Sequence, residues 1–143
     1  MGADIFNSYP AIQAKDDTLS LYIQKYGGTS VGTLERIKTV AAHIASTYRA
    51  GNKLVVVVSA MGQQTDELLD MALKISSNPS QREVDMLLSV GERITMSLLA
   101  IALNDLQIPT VSFTGSQSGI LTDNIFGNAR IKRILGDRIR RAL

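Results

Sequence analysis

Cysteine and tryptophan are absent from the 143 residues, and histidine occurs once, at His43. Without cysteine there is no disulfide, no thiolate metal site and no cysteine nucleophile, and the composition fits a reducing compartment. One histidine rules out a multi-histidine metal centre, and a Ser-His-Asp triad would have to use His43. Proline is scarce, at three residues, and no Pro- or Ser-rich linker or internal repeat divides the chain. Excess charge of one sign is also missing. Fifteen Lys plus Arg against thirteen Asp plus Glu leave +2, too little to argue for nucleic acid or an anionic membrane. The apolar stretches 54–58 and 98–103 fall well short of the roughly 18 residues of a membrane span. Asp4 and the lack of an apolar h-region argue against a secretory signal. These absences make a soluble, cytoplasmic protein without nucleic-acid or membrane partners the expectation.

What is present suffices for a core, with 45% apolar and 20% charged residues in one domain or part of a larger one. Residues 1–18 lack sustained periodicity and read as an N-terminal extension. From Leu19 the pattern sharpens. Leu21, Tyr22 and Ile23 open a strand that runs through Lys25 into a glycine-rich turn, and Leu34, Ile37, Val40, Ala41, Ile44 and Tyr48 recur at helical spacing. Gly51 closes that helix. The unbroken run from Leu54 to Val58 predicts a parallel strand covered on both faces. A second helix is entered near Thr65, and Ser80 with Glu83 forms a capping-box pattern for a third. Gly91 is read as a break or bend before a fourth helix through Ile94 and Leu98. Thr110 to Phe113 is a strand candidate, as are Ile120 and Leu121; 122–128 reads as loop, Ile131 to Leu135 as strand or helix, and a helix starts near Asp137. The alternation predicts an α/β fold with a mainly parallel sheet sandwiched by helices, incomplete at its C-terminus.

Ligands of open parallel sheets gather beyond the carboxyl ends of the strands, where two small-residue turns fall here. The first, Lys25-Tyr26-Gly27-Gly28-Thr29-Ser30-Val31-Gly32, combines glycines, hydroxyls and a following helix N-terminus, a combination that favours anions. Lys25 adds a mobile positive charge. Neither the Walker motif nor GxGxxG fits, and by spacing alone an ordinary strand-to-helix turn with a solvated lysine stays open. The second turn, Ser59-Ala60-Met61-Gly62, leads to Gln63, Gln64, Thr65 and Asp66; Thr65 either contacts a ligand or caps the helix. Glu92 either receives an ammonium group or orients a lysine, or else pairs with neighbouring Arg93 at the surface. His43 reads as a helix-face residue, and Arg130, Lys132, Arg133, Arg138, Arg140 and Arg141 as a solvated basic face.

Taken in order, the Lys25 to Gly32 turn, Val57-Val58-Ser59-Ala60-Met61-Gly62 with Thr65-Asp66, Leu87-Leu88-Ser89-Val90-Gly91-Glu92-Arg93, and Ser112-Phe113-Thr114-Gly115-Ser116-Gln117 resemble the N-terminal part of the aspartokinases, within the amino-acid kinase superfamily. The resemblance runs from about Tyr22 to the end of the chain. It implies transfer of the γ-phosphoryl group of MgATP to the side-chain carboxylate of L-aspartate, on the way to lysine, threonine and methionine. It further implies ATP and Mg2+ as cofactors and a homo-oligomer. By matching motif positions, Lys25, Gly27, Gly28, Thr29, Ser30 and Ser59 would bind the ATP phosphates, Lys25 stabilising the transferring group, and Thr65 and Glu92 would contact aspartate. Residues 19–143 are then expected to be the N-terminal part of a kinase domain, since the family continues into an Arg-Gly-Gly-Ser-Asp segment, an adenine-binding half and regulatory domains. The chain alone is expected to be inactive or nearly so. A kinase for glutamate or acetylglutamate is the nearest alternative, and a non-catalytic binding or assembly module the alternative from another class.

Overall fold

The computed structural model describes residues 20–143; the N-terminal extension read from residues 1–18 lies outside the described residues. The element order is β1 (Leu21–Tyr26), α1 (Leu34–Arg49), β2 (Lys53–Val58), α2 (Gln64–Ile75), α3 (Gln81–Asp105), β3 (Ile120–Thr122), β4 (Ile131–Ile134) and α4 (Asp137–Ala142). Strands β1 and β2 pair in parallel, from Leu21 opposite Lys53 to Tyr26 opposite Val58, with α1 as the crossover between them. Strands β3 and β4 form a separate antiparallel pair. The architecture is the α/β class expected, a parallel sheet flanked by helices.

Helix α1 starts where its sequence says it should. The Thr33 hydroxyl accepts from the Arg36 N–H at 3.2 Å, satisfying one of the donors that a first turn leaves open. The Glu35 carboxyl is held below the usual carboxylate range by its own backbone N–H and the Thr33 hydroxyl. Gly51 follows the C-cap Ala50 with φ of +88°, the left-handed position that glycine takes at little cost. Ile37, Val40, Ala41, Ile44 and Ala45 form the buried stripe of α1 and meet Tyr26, Val31, Leu99, Leu103 and Ile108 in one cluster. Val56 and Val58 pack against that cluster from β2, so α1 and α3 cover one face of the β1–β2 pair. The opposite face presents Ile23 and Val57, each nearly half exposed at 46% and 45%. The valine run predicted cover on both faces; the described residues supply it on one.

Three local expectations are corrected. The predicted third and fourth helices are one continuous helix of 25 residues, α3, and Gly91 lies inside it, buried. Ser80 does cap α3, but through its backbone: its carbonyl accepts from Glu83 and Val84 at 3.0 Å each, no side-chain capping bond forms, and the Glu83 carboxylate pairs with Arg82 instead. Thr110 to Phe113 joins no ladder among the described residues; strand propensity yields a strand only where a neighbour takes up the backbone groups. The joined helix is also long and apolar enough to cross a membrane by length and composition, with mean hydropathy 1.6 in its most apolar window, a signal hidden from run-length counting because polar residues interrupt it. It packs against α1, α2 and β2, with Val84, Gly91, Thr95, Leu99 and Leu103 buried.

Tyr26, the last residue of β1, is 3% exposed, donates its hydroxyl to Gln24 Oε1 at 3.0 Å, and has its pKa pushed up to about 12 by burial. A folded-state value above the unfolded value of about 10 means that the neutral form is favoured by folding. Its contribution to stability is complete below pH 10 and is lost as pH rises from 10 toward 12. Denaturant midpoints measured between pH 9 and 12 should therefore fall less steeply for Tyr26→Phe than for the unsubstituted chain; equal slopes would show that Tyr26 does not drive the alkaline loss.

Candidate active site

The two small-residue turns lie side by side at the carboxyl ends of β1 and β2, and each is shaped by the other. Beyond the last ladder pair, the Ser59 N–H donates to the Tyr26 carbonyl at 3.1 Å, and the Gly62 N–H to the Gly28 carbonyl at 3.1 Å. Within the first turn the Ser30 N–H donates to the Gly27 carbonyl at 2.9 Å, and Arg36 Nη1 reaches back from α1 to the Thr29 carbonyl at 2.5 Å. The glycines divide by role. A Cβ on Gly28 would lie 2.8 Å from the Ala60 carbonyl oxygen and 3.3 Å from that of Gly62, and one on Gly32 would lie 3.2 Å from the Gly28 oxygen. Gly28 is needed for the two turns to touch, and Gly32 for the first turn to fold onto itself. A Cβ on Gly27 would meet nothing within 4 Å, so Gly27 alone of the three leaves its backbone open to an incoming group.

Lys25 sits opposite Val57 on the ladder and is exposed. Gly27, Thr29, Ser30 and Ser59 follow it in the two adjoining turns at the strand ends. Thr65 lies in the first turn of α2 and does not cap it; Gln63 is the N-cap and makes no side-chain bond. That removes the capping alternative for Thr65, whose side chain is exposed. Glu92 reaches the same end of the molecule because its neighbour Gly91 packs on the second turn: a Cβ on Gly91 would lie 2.8 Å from the Ala60 Cβ. The surface pairing of Glu92 with Arg93 does not form, since neither takes part in an ion pair among the described residues. His43 is on the exposed face of α1, and the basic C-terminal residues are exposed, with Arg138 stacked 5.0 Å from the Phe113 ring centroid.

Three features escaped the sequence reading. Arg36 as a clamp on the first turn carried no signal beyond its place in α1. Gly91 carried one: a glycine in mid-helix costs about 1 kcal/mol relative to alanine and so points to a close approach. Gln64 Oε1 is buried without a hydrogen-bond partner among the described residues, 3.6 Å from where a Gly91 Cβ would stand. Replacing Gly91 by alanine should gain about 1 kcal/mol of helix propensity but lose about 1–3 kcal/mol to overpacking against buried Ala60. A net drop in the denaturant midpoint is expected, and a gain would show that α3 can slide off the turn freely.

The model of the amino acid kinase family matches residues 20–143. The chain belongs to the amino acid kinase family. Within it, the chain is 52% identical over 125 residues to an aspartokinase of Bacillus sp. (strain MGA3) and 51% identical to one of Geobacillus stearothermophilus, in each case over 87% of this chain. It spans about three-tenths of the length of these relatives, 30% and 31%. Among solved structures it resembles aspartate kinase from Synechocystis with a TM-score of 0.70 and 49% identity, covering 85% of this chain and 20% of that one. In this member of the family, the paired turns at the ends of β1 and β2 are where, among the described residues, a parallel strand pair, small residues and an exposed lysine coincide.

Proposed function

We propose that this chain serves an aspartokinase, transferring the γ-phosphoryl group of ATP to the side-chain carboxylate of L-aspartate to give 4-phospho-L-aspartate, and that residues 19–143 form the N-terminal part of its kinase domain. The observation that supports this reading is the packing of the two turns backbone to backbone at the end of the strand that carries Lys25, in a chain about half identical to aspartokinases.

The reaction brings two anions together, and the nucleophile is already a carboxylate. Catalysis is then positioning plus charge compensation. The open backbone at Gly27, with the Thr29, Ser30 and Ser59 hydroxyls, would hold phosphate oxygens, and Gly28 would keep the turn in shape. Lys25 would meet the charge that moves with the transferring group. Thr65 and Glu92 would hold aspartate, Glu92 through the ammonium group. No cluster of three or more His, Cys, Asp or Glu exists among the described residues, and none is needed: magnesium would arrive with the nucleotide, held by phosphate oxygens and water as is usual for this ion. Such an enzyme would work in the cytoplasm, in the synthesis of lysine, threonine and methionine, as a homo-oligomer.

The test is a hydroxamate assay, which traps the acyl phosphate, run with aspartate, glutamate and acetylglutamate on the complete kinase. Selective turnover of aspartate supports the proposal; selective turnover of another acid would replace the substrate. The 143 residues alone are expected to transfer phosphate slowly or not at all, and full turnover by them would overturn that part.

A further inference from the structure

Among the described residues, the β3–β4 hairpin makes one side-chain hydrogen bond to α3, at a point that the proposed reaction does not use. Strand β4 is exposed along its whole length and β3 over most of it, and an isolated two-stranded hairpin is marginal in water. Its position therefore depends on what its loop grips. The loop, residues 123–130, is closed on itself: the Asp123 N–H donates to the Arg130 carbonyl at 3.0 Å, and Asp123 Oδ1 accepts from the Ile125 and Arg130 N–H groups at 3.3 and 3.1 Å. The Gly127 N–H donates to Asp85 Oδ2 on α3 at 2.8 Å, across 42 residues of sequence. Among the described residues this is the sole side-chain hydrogen bond between the hairpin and α3. Gly127 has φ of +74°, and a Cβ there would lie 2.7 Å from Gln81 Oε1, so the loop backbone rests directly on the first turns of α3.

Between loop and helix runs a groove of about 370 Å³, walled by Arg82, Asp85, Ser89 and Arg93 from α3 and by Asp123 and Phe126 from the loop. Helix geometry relates this groove to the candidate site. Successive residues turn by about 100°, which puts Gly91 and Thr95 toward the second turn, Asp85, Ser89 and Arg93 toward the groove, and Glu92 between the two faces. Glu92 itself does not line the groove, but by this angle it lies next to both the face that packs on the second turn and the face that lines the groove.

We propose that the Asp85–Gly127 hydrogen bond holds the 123–130 loop as the outer wall of the amino-acid pocket beside Glu92, so that Asp85 is a positioning residue governing affinity for the acidic amino acid rather than the transfer step. This rests on the reading of Glu92 as the amino-acid contact. A carboxylate accepting a backbone N–H makes a charge-assisted bond, and a wall fixed beforehand spares the bound amino acid the cost of ordering it.

The experiment compares Asp85→Ala, Asp85→Asn and Gly127→Ala with the unsubstituted complete kinase. It reads KM for aspartate, KM for ATP, kcat, and hydrogen exchange of the amides in 123–130. Asp85→Ala and Gly127→Ala are each expected to raise KM for aspartate about fivefold or more with kcat and KM for ATP within about twofold, and to speed loop exchange about tenfold or more. Asp85→Asn, whose carbonyl oxygen can accept the same bond, should recover most of both. Unchanged exchange, or faster exchange with unchanged KM for aspartate, would overturn the proposal, as would a fall in kcat or an equal rise in both KM values, which marks a general structural role. If the unsubstituted kinase turns over glutamate or acetylglutamate and not aspartate, the aspartokinase reading fails by itself, and the KM comparison made with that acid still decides the role of Asp85.

Discussion

Lys25→Ala is expected to lower kcat of the complete kinase about 100-fold or more while changing KM for ATP far less. Lys25 lies at the end of β1, exposed, opposite Val57, and forms no ion pair among the described residues. Its charge is uncommitted and stands where the strand enters the glycine turn. On the proposed reading a phosphate would have other partners in the ground state, the Gly27 backbone and the hydroxyls of Thr29, Ser30 and Ser59. Charge moves most in the transition state, between two anions, and a group whose interaction grows there acts on kcat. Lys25→Arg should not restore the rate, because a planar guanidinium does not replace a compact ammonium at a fixed point. Steady-state kinetics at saturating ATP and aspartate decide the matter: a kcat within twofold of the unsubstituted enzyme would remove Lys25 from the transfer step.

Adjacent glycines are expected to part company. Gly28→Ala would drive a Cβ to 2.8 Å from the Ala60 oxygen, a backbone atom that cannot swing aside while the Ser59 and Gly62 N–H groups are bonded to Tyr26 and Gly28. The turns must separate. A loss of about 1–3 kcal/mol of stability and of nucleotide binding together is the expected result. Gly27→Ala meets open space, and Gly27 is not in the left-handed region, so its stability should stay within about 0.5 kcal/mol. Its new methyl would occupy the approach to the Gly27 backbone, and ATP affinity should fall about tenfold, roughly 1.4 kcal/mol. Denaturant midpoints and calorimetric titration with ATP measure both. Unchanged ATP affinity in Gly27→Ala would show that phosphate does not approach there, and an undisturbed Gly28→Ala would show that the turns are not locked together.

The parts of the site legible beforehand share one property: each is encoded within a few neighbouring residues. A strand followed by Gly27-Gly28-Thr29-Ser30 and a helix with Thr33 as its cap needs no distant partner to be read. The same holds for the valine strand with Ser59 at its end. Misreadings came where the deciding partner was far away. Gly91 read as a helix break because mid-helix glycine is locally unfavourable, yet its neighbour is Ala60 from another element. Thr110 to Phe113 has strand composition and no ladder partner among the described residues. The capping-box pattern at Ser80 and Glu83 was present, but Arg82 took the Glu83 carboxylate.

By itself, then, the order of residues determined the α/β class, the crossover from β1 through α1 to β2, and the presence of a small-residue turn with Lys25 at the strand ends, because periodicity, capping and glycine placement act over one or two helical turns of chain. Tertiary structure alone decided which glycines serve packing and which stays open, that α3 runs unbroken beneath the second turn and carries Glu92 to it, and that Asp85 grips Gly127 from 42 positions away. Those outcomes depend on steric fit between backbones brought together from distant segments, and an approach so close that an added Cβ would stand 2.8 Å from the facing atom leaves no trace in either segment except a glycine whose reason lies in the other.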